Sequence, residues 1–233
     1  MQYVIPRSIK IKIKNTPRKP LWGLDFQKSE TEVSSYVEPG SASEKHMKNP
    51  NVQFQLNQDL DQWTAEEFKV GTADNVRNFY TVNQGDLERF IKNAKKNWSL
   101  VSEPFYGEVS KLFKNHSWPE GAYIGYASMF DCNPRFLENK TFQIYYRHKA
   151  GSNYVTAHEL LHFMFYNYAL KNHSDLFKDK DTESGIFWDV AEIFNAVVLH
   201  TLPFSKIYSA KEQIIYTEHK EFVQDLSNRY KKL

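Results

Sequence analysis

Residues 154–170 read YVTAHELLHFMFYNYAL, an almost wholly apolar stretch with His158, Glu159 and His162 at its centre. A helix that is apolar nearly all round is a buried helix. Burying an ionised carboxylate or an unpaired imidazole costs several kcal/mol unless a partner compensates. Any fold this chain adopts must therefore bring partners to these three groups. Their spacing says which partner would serve all of them. Residues i and i+4 share a helix face, so His158 and His162 can reach one metal ion. Glu159 stands one residue past the first histidine, where it can act as general base toward water at that metal.

A second segment poses the same problem. Residues 186–199 read IFWDVAEIFNAVVL, in which Asp189, Glu192 and Asn195 form one narrow polar stripe at i, i+3 and i+6. A glutamate on a helix otherwise built of Val, Ile, Phe and Trp needs a cation. A helix–loop–helix return would bring Glu192 back over the histidines. His158, His162 and Glu192 are then expected to be three protein ligands, with the fourth position open, as in catalytic zinc sites. The expected cofactor is one Zn2+ per chain. Asp189, His200 and Glu183 compete with Glu192 for the third place, and Cys132, in FDCNP, is a further contender that reads better as a small buried residue. The remaining histidines, His46, His116, His148, His173 and His219, stand in polar stretches and read as surface residues.

H-E-x-x-H followed by a glutamate on a later helix resembles the gluzincin clan of metallopeptidases, whose best-known member is thermolysin. The order of elements resembles that of the small, stripped-down gluzincins over roughly residues 84–205. Metzincins extend the motif as H-x-x-G-x-x-H, but Phe165 and Tyr168 occupy those places here. Peptide deformylases pair the motif with a cysteine in a Glu-Gly-Cys-Leu-Ser context, which is absent. The resemblance implies an α+β fold with a zincin-like core: backing helices, a small mixed sheet, the HExxH helix, the glutamate helix and a C-terminal helix. It implies hydrolysis of a peptide or protein substrate, with metal-activated water attacking the scissile carbonyl and Glu159 as the catalytic base. In that family an aspartate four residues after the glutamate orients the first histidine. Here Ala196 stands in its place, leaving Asn195 and Asp189 as candidates for that duty. His200, Tyr208 and Tyr216 are candidates to stabilise the oxyanion. The resemblance also implies that the strand before the metal helix lines the cleft and pairs with substrate, so that Phe142, Tyr145 and Tyr146 would favour large apolar side chains. A competing expectation is a catalytically silent zinc-binding or interaction module built on the same site.

The rest of the chain frames these segments. Ile9, Ile11 and Ile13 alternate with lysines, a strand pattern, and Gln27–Asn57 reads as irregular and polar, a segment that could cover the cleft as a built-in inhibitor. Residues 1–82 are accordingly expected to be an extension and 83–233 the metallopeptidase domain. Asn75–Thr81 reads as a short strand. Leu87–Trp98 and Phe105–Phe113 read as two helices, the second capped at Ser102 with Pro104 in its first turn. Ala122–Phe130 and Thr141–Arg147 read as strands on either side of a turn at Asn133-Pro134. The last helix is expected to start near Ser209, in a capping box with Glu212, and to carry Ile215, Phe222, Val223, Leu226 and Tyr230 on one side. A net charge of +2 argues against a nucleic-acid partner, and no run of apolar residues is long enough to span a membrane. With a single cysteine and no signal-peptide pattern, the expected location is the cytoplasm.

Overall fold

The structure, a computed structural model, describes residues 49–56, 73–129, 131, 133–207 and 216–230. In chain order they form β1 (Val52–Leu56), α1 (Ala73–Val82), α2 (Gln84–Leu112), β2 (Tyr123–Ser128), β3 (Arg135–Phe136), β4 (Thr141–Tyr145), α3 (Gly151–Asn172), the short α4 (Ser174–Phe177), α5 (Gly185–Leu199) and α6 (Lys220–Tyr230). The class is α+β, as expected. The strand expected at Ile9–Ile13 and most of the segment Gln27–Asn57 lie outside the described residues.

Helix α2 is one continuous element where two were expected. Its buried residues Leu87, Ala94, Trp98, Phe105 and Val109 hold a single helical phase straight through Pro104. Proline removes one backbone donor and crowds the preceding turn. Here Pro104 lies on the exposed side of the helix, where solvent can satisfy the carbonyl it releases. Packing on both flanks holds the helix together across it. The rings of Trp98 and Phe105 meet edge to face with centroids 5.4 Å apart, and Phe105 also meets Phe204 at 6.0 Å. Phe105 is fully buried, so Phe105→Ala should cost about 3–5 kcal/mol in denaturant unfolding, mostly as a cavity.

The sheet order is β1-β2-β4-β3. Strand β1 falls inside the segment read as irregular, yet pairs parallel with β2 from Val52↔Tyr123 to Leu56↔Ala127. Asn75–Thr81 is likewise not a strand but part of α1. Strands β2 and β4 are parallel neighbours, with Ile124 opposite Thr141 and Ser128 opposite Tyr145. Gly125 lets them pack closely, since a Cβ there would lie 3.0 Å from the ring of Phe142. One sheet face rests on α2 and α3, and the core between them includes Val109, Tyr123, Phe142, Ile144, Leu160, Leu161 and Met164.

The far side of β4 is already occupied. Strand β3 pairs antiparallel with it, Arg135 opposite Phe142 and Phe136 opposite Thr141. Beyond that pair, the Gln143 amide donates to the Pro134 carbonyl at 2.8 Å and the Tyr145 amide to Asn133 Oδ1 at 2.8 Å. This corrects the expectation that β4 offers its edge to substrate. Phe142 is fully buried and packs near Phe163, so it faces the core and not a cleft. Tyr145 and Tyr146 are half-buried and meet each other edge-on at 5.6 Å, while Tyr146 also meets Phe79 of α1 at 6.1 Å.

The C-terminal helix is shorter than expected. Tyr216 is extended, Thr217–His219 form a 3-10 turn, and α6 starts only at Lys220. Val223 is buried against Ala196 and Val197 of α5, but Phe222 is 63% exposed. Ser209, Glu212 and Ile215 lie outside the described residues. No helix among the described residues is long and apolar enough to cross a membrane.

Candidate metal centre

Helices α3 and α5 pack against each other, and the polar islands of the two apolar segments meet at their contact. Ser184 is extended and Gly185 takes φ 71°, a left-handed value that suits glycine and sets the chain's entry into α5. His162 is fully buried, Glu159 is 3% exposed and Glu192 is 7% exposed. Glu192 Oε1 lies 3.2 Å from His162 Nε2, its Oε2 lies 3.3 Å from His158 Nε2, and the two imidazole nitrogens are 3.0 Å apart. The three residues each offer a donor atom within 4.8 Å of the others and could hold a metal ion. Two imidazole nitrogens and a carboxylate oxygen are a donor set that suits zinc. Of the described residues weighed for the third place, Glu192 is the one that the fold brings to both histidines.

Burial sets the electrostatics. It works against a charged His158, but the hydrogen bond to Glu192 and that carboxylate's charge overcome it and raise the pKa. For His162, burial joined by the nearby Arg135 pulls the pKa down to about 3, so this imidazole is neutral, the form a metal requires. Burial also opposes ionisation of Glu192, yet His162 and His158 together hold its carboxyl well below the ordinary range. Glu159 behaves differently. Burial pushes it up to about 7, with His158 and Arg135 pulling back, and its Oε2 is buried without a hydrogen-bond partner.

Sequence reasoning missed Arg135. This β3 residue is only 9% exposed, and its Nη1 lies 3.5 Å from Glu192 Oε1. Its Nη2 donates to the Tyr166 hydroxyl at 3.0 Å and to the Thr182 carbonyl at 3.3 Å, and its guanidinium lies 5.3 Å from the Tyr166 ring centroid. Tyr166 stacks on His162 with centroids 5.8 Å apart and planes 15° from parallel. Tyr166 did carry a signal, since it follows His162 by four residues on the same helix face. Glu183 is half-buried with its pKa raised by burial, and it stands in the field of Arg135 outside the ligand group.

The two candidates for orienting His158 part ways. Asn195 is fully buried, and its Nδ2 donates to the His158 backbone carbonyl at 2.8 Å. It grips the turn that carries the ligand and leaves the imidazole alone. Asp189 does not serve the site, because it pairs with His219 Nε2 at 2.9 Å. His219, read as a surface residue, is 5% exposed and sits among Trp188 and Tyr216. The surface reading holds for His173, which is exposed, but His116 and His148 are half-buried. His116 bonds Asn167 at 2.9 Å. The Nδ1 atoms of both His158 and His162 are buried with no partner.

Of the expected oxyanion stabilisers, His200 bonds the hydroxyl of Tyr154 at 3.2 Å, and the Tyr154 ring lies 6.2 Å from that of His158. Burial, reinforced by His158, keeps the His200 pKa low. Tyr216 leaves 37% of its surface to solvent, but its phenol is pushed up by burial and then by the negative charge of Glu192. Tyr208, Cys132 and His46 lie outside the described residues.

No protein-family model, curated protein or solved structure matches the chain. Function therefore has to come from the chemistry of these side chains.

Proposed function

We propose that the chain is a zinc-dependent hydrolase of peptide bonds, with His158, His162 and Glu192 holding the metal and Glu159 as general base. The observation that carries this reading is the convergence of Glu192 on both imidazoles, at 3.2 and 3.3 Å, beside a buried carboxyl held near neutrality. The resemblance of the H-E-x-x-H and later glutamate to the gluzincins supports it. So does the frame, a long helix behind a small mixed sheet with two site helices, which agrees with a zincin-like core.

Zinc bound here would supply Lewis acidity toward water and the scissile carbonyl. The proton work belongs to Glu159. A carboxyl with a pKa of about 7 can take a proton from water at neutral pH and return it to the leaving amine. Its unpartnered Oε2 leaves an acceptor free for that task. Tyr154, bonded to His200 and with its ring 6.2 Å from that of His158, is the best-placed donor to the developing oxyanion among the described residues. The apolar walls of α3 and α5 limit bulk water around these charges.

One observation favours a second reading, a metal-binding module that hydrolyses nothing. The aspartate that orients the first histidine in the gluzincins is missing, its place taken by Ala196, and the neighbouring Asn195 reaches the His158 backbone and not its imidazole. Metal analysis and a peptide-library digest separate the readings. The hydrolase should carry about one zinc per chain and give cleavage that a chelator abolishes. Zinc bound without any cleavage selects the module, and a protein that takes up no zinc rules out both.

A further inference from the structure

We infer that Arg135 is a positioning residue for Glu192: its guanidinium holds one carboxylate oxygen, leaving the other to ligate the metal. This rests on the reading of His158, His162 and Glu192 as a metal site. A glutamate side chain has three free torsions, and a carboxylate can grip a metal through one oxygen or two. Something must choose between these modes. Here both oxygens face an imidazole, Oε1 at 3.2 Å from His162 Nε2 and Oε2 at 3.3 Å from His158 Nε2, but of the two Oε1 is the one paired with the guanidinium, at 3.5 Å from Arg135 Nη1.

Arg135 is itself immobilised. Its other terminal nitrogen is shared between the Tyr166 hydroxyl and the Thr182 carbonyl, and Tyr166 also donates to Thr182 at 2.8 Å. The backbone beneath it is fixed by pairing with Phe142 of β4. The same tyrosine stacks on His162, so Arg135 and Tyr166 brace two of the three ligands at once. Burying a guanidinium is costly, and this one is not needed to neutralise Glu192 once a dication is bound. Charge alone would work against the metal, because the guanidinium and the dication repel each other. A planar fork that fixes carboxylate geometry gives the arginine a role that a point charge would not fill.

The test uses the full chain and its Arg135→Lys, Arg135→Met and Tyr166→Phe variants. Cobalt serves as a spectroscopic probe, and zinc affinity is read by competition with a chromophoric chelator. Positioning predicts that lysine fails like methionine, since both lose the fork. Zinc affinity should fall about 10–100-fold in both. The visible absorption of the cobalt-loaded protein should weaken in both, as the second carboxylate oxygen joins the metal. Tyr166→Phe, which removes one hydroxyl, should shift both readouts in the same direction by less, and it serves if the arginine variants do not fold. Lysine behaving like wild type, or methionine binding zinc more tightly, would mean that only charge matters and would overturn the inference. Unchanged spectra and affinities in all three variants would do the same while leaving the metal reading intact. A wild-type chain that binds no cobalt brings down the metal reading itself.

Discussion

If His158, His162 and Glu192 hold zinc as proposed, Glu192→Gln is expected to strip it, lowering zinc affinity by more than the roughly 100-fold that loss of a supporting group can cost. Two neutral imidazoles remain in the variant, and two nitrogens alone make a poor zinc site. The amide is the right replacement because it keeps the volume and still offers Arg135 an oxygen. Glu192→Ala would lose the metal too, but it leaves the guanidinium of Arg135 without the carboxylate 3.5 Å away. Removing one partner of a buried ion pair costs about 3–5 kcal/mol; the amide oxygen offsets part of that and alanine none, so alanine confounds ligation with stability far more. The glutamine variant should therefore fold, and dialysis followed by metal analysis should find it empty. A variant that keeps wild-type zinc would show that Glu192 is not a ligand.

What could be read from the sequence follows from which groups had to find partners. The two apolar segments around HELLH and Glu192 announced themselves because a buried charge on such a helix cannot stay unpaired. The two helices do bring His158, His162 and Glu192 together. Local breakers are weaker signals than burial. Pro104 suggested a helix start, although Leu87, Ala94, Trp98, Phe105 and Val109 already kept one phase across it. Weighing the phase above the proline would have given the single helix. Strand order was out of reach for a different reason. Parallel pairing of β2 with β4, and β1 on the outer edge, arises from contacts distant in sequence. Asn133 and Pro134 are not assigned as a turn and lead directly into the two-residue β3, which pairs with β4, so the longer strands are not joined as a hairpin.

Arg135 and His219 were illegible for a shared reason. Each is a charged or titratable side chain of a kind that ordinarily reaches solvent, His219 in a polar stretch and Arg135 just before Phe136 and Leu137, so nothing local marks either as buried. Their burial is imposed by partners from elsewhere, Glu192 and Tyr166 for Arg135 and Asp189 for His219. The Asp189–His219 pair also explains why the polar stripe on α5 splits in function. Glu192 and Asn195 turn toward α3, while Asp189 fastens the 3-10 turn before α6. One stripe thus serves the site at one end and the docking of the last helix at the other.

Glu159→Gln should leave zinc in place and lower peptide hydrolysis by about 10²–10⁴-fold, the usual share of a general base. Glu159 is not among the converging ligand atoms, so the metal has no reason to leave. The amide fills the same space but cannot accept a proton. The same substitution has a second consequence, opposite in sign. Burial raises the folded-state pKa of Glu159 to about 7 from an ordinary 4.5, so ionising it costs the metal-free fold stability. That cost is absent below the unfolded pKa, grows as pH rises between the two values, and is complete above the folded one. Metal-free Glu159→Gln should therefore match wild type at pH 4 and exceed it at pH 8 in thermal unfolding. Loss of activity with a gain of stability is what a carboxylate kept for chemistry at the expense of the fold should show. If the variant hydrolyses peptides at the wild-type rate with zinc bound, Glu159 is not the base. If it is instead less stable than wild type at pH 8, the carboxylate is serving the fold, and its burial needs another explanation.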